Sequence, residues 1–201
     1  HTHTHTHTQQ LALDRWKANF VSKQWALAND NSLKPFTWVL VYIVHNPTHL
    51  ETTLTLIHSL RKVSTTADIV IITHPPTKRR RYTYSPSLPL LSSPSASKLP
   101  PLAEELFIQL GCKIIEVPFP RRMSLHDKVM LAKFSTPLLS VYKKAIFLDS
   151  DQLVLANIDN LFLSEHPFSL RMVKGSVPDG GVMAWRSEEH TSELQSQSNL
   201  V

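Results

Sequence analysis

The residues predict an α/β domain with a mainly parallel sheet flanked by helices. Three observations predict it. Short apolar runs rich in β-branched and aromatic residues recur along the body of the chain, and helical stretches with an apolar side separate them. The last of these runs ends abruptly in two carboxylates.

Taken in order, Leu11 to Leu27 reads as an amphipathic helix carrying Trp16, Phe20 and Trp25, and Asn29 to Ser32 as a turn. Phe36 to Val44 is the first buried strand, broken by Asn46-Pro47. Thr48 caps a helix from His49 to Val63 with Leu50, Leu54, Ile57 and Leu60 on one side. Ala67 to Thr73 is the second strand. Strand, helix and strand within about forty residues make a βαβ unit. Pro101 opens a helix from Leu102 to Leu110 that Gly111 ends, and Cys112 to Val117 is the third strand. Helical character resumes from Ser124 to about Phe134, and Lys144 to Leu148 is the strand that feeds Asp149.

Composition sorts the chain into segments. Residues 1–35 are a low-complexity and variable amino-terminal segment, 36–185 the folded domain, and 186–201 a tail. The strict His-Thr alternation of His1 to Thr8 is what a translated CA dinucleotide repeat gives; a metal-binding histidine tract is the alternative. Residues 75–100, rich in Pro, Ser and basic side chains and without period, read as a flexible insertion. Arg186 to Ser196 resembles the conceptual translation of a sequencing-library adapter. The domain is therefore expected to be cut short near Trp185 or Arg186, and Glu188, Glu189 and His190 are set aside as site residues.

Of 201 residues, 42% are hydrophobic, enough for a core, and the 18% charged is too low for a disordered chain. The net charge of +5 is concentrated in part in Lys78 to Arg81, a run typical of a solvated loop, so nucleic acid is not an expected partner. The one cysteine, Cys112, excludes an intramolecular disulfide. No apolar run reaches the length of a membrane span, and no signal peptide is evident.

Asp149 and Asp151 follow the apolar run Ala145 to Leu148 directly. Ligands of open α/β sheets gather at the carboxyl ends of strands, so the pair is placed in a crevice. Two hard oxygen donors one residue apart suit a divalent cation that also holds phosphates. A D-x-D after an apolar strand also occurs in haloacid-dehalogenase-type phosphatases. Those need Thr or Val two places after the second Asp, where this chain has Leu153, and they carry the motif near the start. Asp159 is read as structural, a turn-capping carboxylate.

The full block, Tyr142-Lys-Lys-Ala-Ile-Phe-Leu-Asp149-Ser-Asp151-Gln-Leu-Val-Leu-Ala-Asn157-Ile-Asp159-Asn-Leu-Phe162, resembles the metal-binding core of family 8 glycosyltransferases, the group that includes glycogenin. That resemblance implies a GT-A fold, a Rossmann-like nucleotide-diphospho-sugar transferase domain. It also implies a UDP-sugar donor, a Mn²⁺ cofactor held by Asp149 and Asp151, and transfer to an acceptor hydroxyl with retention of configuration. The acceptor, whether carbohydrate, lipid or protein, is left open. So is the compartment, because the family has cytosolic and Golgi members.

Further residues follow from the same resemblance. His45, Asn46 and His49 fall on the family's nucleotide-binding turn, with Pro47 in place of its Asp. Lys133, nine residues before Tyr142, falls where the family has a donor-contacting Lys; Lys128 competes for that role. Ser150 lies between the two aspartates. Asp179, Gly180 and Gly181 match a glycine-containing segment that approaches the donor sugar, with Asp179 replacing the usual Asn. The family completes its metal site with a His in a later H-x-x-G-x-x-K-P-W-type segment that has no counterpart here. A donor-binding half with little or no transferase activity is the expectation, and a non-catalytic nucleotide- or metal-binding module is the alternative.

Overall fold

The computed structural model describes residues 2–25, 34–44, 47–73, 99–117, 119–120, 123–166, 168–173 and 177–186. His45, Asn46, most of the 75–100 insertion with its basic run, and residues 187–201 lie outside the described residues.

Among the described residues four α-helices, α1 (Thr2–Trp25), α2 (Pro47–Lys62), α3 (Pro101–Gln109) and α4 (Leu125–Lys133), accompany six strands. These are β1 (Lys34–Tyr42), β2 (Asp68–Thr73), β3 (Lys113–Glu116), β4 (Tyr142–Leu148), β5 (Phe168–Val173) and β6 (Val177–Arg186). They form one sheet in the order β3-β2-β1-β4-β6-β5. β3, β2, β1 and β4 are parallel; β6 runs antiparallel to β4, and β5 antiparallel to β6. The α/β architecture with a mainly parallel sheet is the one expected.

β1 shows why both faces are covered. Trp38, Leu40, Tyr42 and Val44 point to one side and pack with Leu56, Ile57 and Leu60 of α2 and Phe107 of α3. Val39, Val41 and Ile43 point to the other and pack with Trp16 and Phe20 of α1 and Ala132 of α4. Alternate residues of a strand face opposite ways, so a strand apolar on both sides needs helices on both. Burying each of these large side chains contributes about 1.5–3 kcal/mol.

Two helix ends follow local rules. Ser124 accepts from the N–H of Asp127 at 3.1 Å, a side-chain N-cap at the start of α4, and its hydroxyl donates to the Asp127 carboxylate at 2.7 Å. At the end of α3, Gly111 N–H donates to Ile108 O and Cys112 N–H to Phe107 O, a Schellman pair with Gly111 at φ 69°. Arg61 reinforces it, donating from Nε to Leu110 O and from Nη2 to Gly111 O, both at 3.0 Å.

Three features differ from expectation. The first helix begins at Thr2 rather than Leu11, and buried Trp16 and Phe20, stacked 5.3 Å apart, join it to the sheet. Trp16 and Phe20 of this helix are thus part of the packed core. The β5–β6 hairpin was not foreseen. Gly180 and Gly181 lie within β6, where pairing with β5 steps from Leu170–Met183 to Arg171–Asp179. The glycines thus occupy a bulge, a position that tolerates residues without side chains.

Candidate functional site

β4 ends at Leu148, and the chain turns at once, Gln152 N–H donating to Asp149 O at 3.2 Å. Asp149, Ser150 and Asp151 are therefore carried on a tight turn. On the inner side Asp149 N–H donates to Gly181 O at 2.9 Å. The bulge that takes β6 away from β5 presents Gly181 to this turn.

The turn lies where the sheet reverses direction. From β1 the chain proceeds through α2 to β2 on one side; β4, arriving by way of α4, lies on the other side of β1. Such a switch point opens a crevice beyond the carboxyl ends of the two strands. The first turn of α2 stands on one wall and the Asp149–Gln152 turn on the other.

His49 joins the walls. Its Nδ1 accepts from Ile43 N–H at 3.1 Å, and its Nε2 lies 2.8 Å from Ser150 Oγ. A backbone N–H can only donate, so the neutral ring carries its proton on Nε2 and donates it to Ser150. Burial holds the imidazole below its ordinary pKa against the opposing pull of Asp151 and Asp149, which keeps this neutral form in place. A Ser–His contact of this length suggests a nucleophile and its base. Here the histidine is the donor, so it is not poised to deprotonate Ser150. One ring face lies toward Tyr42, with centroids 6.1 Å apart.

Lys133, the last residue of α4, reaches the same turn from beneath the sheet. Its Nζ is 3.1 Å and 3.3 Å from the two Asp149 oxygens and 4.7 Å from the centre of the Phe147 ring. Lys133 is buried and Asp149 partly exposed, so the pair sits at the floor of the crevice.

Sequence-predicted residues Lys133, His49, Asp149, Ser150 and Gly181 are thus brought into one constellation, with exposed Asp151 on the same turn. Asp179 and Gly180 lie next to Gly181 in β6. Among the described residues no group of three or more His, Cys, Asp or Glu side chains is set to hold a metal ion. The donors present, two carboxylates at a solvent-accessible turn, fit a hard cation that completes its shell with water and phosphate oxygens.

Segments behind the turn hold it rather than line it. Val154 N–H donates to Ser59 Oγ of α2 at 3.1 Å, and Asn157 donates to the carbonyls of Val63 and Ser64. Asp159 accepts from Thr65 Oγ1 and from Thr66 N–H, while Trp38 Nε1 donates to the same Thr65 hydroxyl. The roles of Ser59 and Thr65 as hydrogen-bond partners of this segment were not visible in the sequence.

No family model matches the sequence, and no curated protein does. The fold does have a solved counterpart. It is similar to the glycosyltransferase GlyE of Streptococcus pneumoniae TIGR4, with a TM-score of 0.50 and 16% identity. The match covers 83% of this chain and 38% of that structure. At this identity the likeness bears on the fold. Among the described residues no helix is long and apolar enough to cross a membrane.

Proposed function

We propose that this chain carries the nucleotide-sugar-binding half of a retaining, Mn²⁺-dependent glycosyltransferase of the family 8 type, which transfers a hexose or related sugar from a UDP-sugar to an acceptor hydroxyl. One observation carries the reading: Lys133, Asp149, Ser150, His49 and Gly181 converge on one turn at the switch point of the sheet. The likeness of the fold to a glycosyltransferase supports it.

In this reading Asp149 and Asp151 hold the cation, which when bound would neutralise the diphosphate and stabilise charge on departing UDP. Ser150 has its oxygen engaged by the His49 proton, which leaves its own O–H to donate into the crevice. The bulge at Gly180 and Gly181 lets a sugar approach the backbone without meeting a side chain. By the sequence resemblance alone, His45 and Asn46 would serve the base and ribose, and Asp179 the sugar. No residue is assigned the catalytic step.

Saturation-transfer NMR with UDP-glucose and ADP-glucose in the presence of Mn²⁺ tests the donor class. Transfer to the uridine protons of the first and not to the adenine protons of the second is expected. Equal transfer to both, or none, contradicts a UDP-sugar site. Uridine contact without sugar transfer to any acceptor would leave the chain as a nucleotide-binding module.

A further inference from the structure

The Lys133 side chain is 8% exposed and that of Asp149 35% exposed. A buried ammonium needs a counter-charge, and a π face beneath it helps but does not suffice. Asp149 supplies that charge through both carboxylate oxygens, at 3.1 Å and 3.3 Å. The first aspartate of the pair is therefore already half of an ion pair, held on the side away from solvent.

We infer that Lys133 is a resident counter-cation which competes with a divalent ion for Asp149 and so sets the cation affinity of the turn. The inference rests on the proposed reading of Asp149 and Asp151 as the cation-holding carboxylates. Its physical basis is charge. A divalent ion on Asp149 would share oxygens with the Lys133 ammonium, and the two positive charges would repel in a partly desolvated place where screening is weak. With Asp149, Asp151 and Lys133 together, the turn carries two negative charges and one positive. A lone divalent ion turns that single net negative charge into a net positive one. An accompanying diphosphate restores the balance, so the cation is taken up with its anionic substrate rather than ahead of it. Lys133 acts here as a positioning residue, through Asp149.

The test is Mn²⁺ alone, titrated into the full chain and followed by the electron paramagnetic resonance signal of the free ion. The charge-neutral variants Lys133→Met and Lys133→Gln should bind Mn²⁺ about tenfold more tightly than the parent, within the usual range of coupling between two ligands of one site. Lys133→Arg, which keeps the charge and can pair with both oxygens, should bind as the parent does. Thermal unfolding gives a second reading. Without metal Lys133→Met should melt below the parent, and Mn²⁺ should raise its midpoint by more than it raises the parent's, because tighter binding to the folded state stabilises more. Lys133→Gln, whose amide still donates to Asp149, carries the test if the Met variant does not fold by circular dichroism. Folded neutral variants with unchanged or weaker Mn²⁺ affinity overturn the competition while leaving the proposed function standing. Failure of every folded chain, parent included, to bind Mn²⁺ even with UDP present overturns both.

Discussion

His49 donates from Nε2 to Ser150 Oγ at 2.8 Å and accepts from Ile43 N–H on its other nitrogen, so one imidazole ties the end of β1 to the turn that carries both aspartates. Residues 101 apart in sequence thereby set each other's orientation. Replacing His49 by Phe keeps the ring and removes both hydrogen bonds. The Ile43 N–H then loses its acceptor in a partly buried place, at a cost of about 1–3 kcal/mol in urea unfolding. Mn²⁺-dependent UDP binding should weaken as Ser150 loses its anchor. A variant as stable as the parent would show that the Ile43 contact carries no weight.

The same ring predicts a pH dependence. Burial lowers the His49 pKa from 6.5 in the folded chain, so between the two values the unfolded chain binds the extra proton. The stabilisation is fully present above the unfolded pKa and is lost as pH falls through the folded one. Thermal midpoints should therefore decline from pH 7.5 toward pH 5, and less steeply in His49→Phe. Parallel curves for the two chains would count against a neutral His49.

Asp159 gives a second, more acidic window. Burial raises its pKa, but the hydrogen bonds from Thr65 and Thr66 outweigh that and hold it below 3.8. Its contribution is present above the unfolded value and disappears as pH falls through the lowered folded one. Asp159→Asn keeps the shape and loses the charge-assisted acceptance, so a loss of about 1–2 kcal/mol at pH 7 is expected, shrinking in acid. A loss that stays constant down to pH 3 would contradict this.

At Gly111 the backbone has φ 69°, which favours a residue without a side chain. An added Cβ would stand 3.4 Å from Arg61 Nη2, at the far end of a flexible side chain, so the cost of Gly111→Ala is mainly conformational. About 1 kcal/mol in urea unfolding is expected. A neutral substitution would mean that the Schellman pair is not maintained in solution.

The parallel half of the sheet was legible because each strand is a short apolar run and each helix shows an apolar side. β1 was expected from Phe36 and starts at Lys34; β4 was expected from Lys144 and starts at Tyr142. The acidic turn was legible for the same reason, since Asp149 follows the last buried position of its strand. The β5–β6 hairpin was not, because Gly180-Gly181 reads locally as a turn and only the shifted pairing of β6 with β5, from Leu170–Met183 to Arg171–Asp179, makes it a bulge. Lys133 was placed at the site by its spacing from Tyr142, but its partner was not foreseen. An ion pair between residues 16 apart arises from the packing of α4 against the sheet, which no local pattern records.

The acidic pair itself is tested most directly by calorimetric titration of UDP into the full chain with and without Mn²⁺, beside an Asp151→Ala variant. Binding that requires Mn²⁺ and falls at least about tenfold in the variant is the predicted result, the effect of losing one of two charged cation donors. Binding of equal strength with and without Mn²⁺, or unaltered by Asp151→Ala in a chain that circular dichroism shows to be folded, would contradict a cation-dependent nucleotide site on this turn.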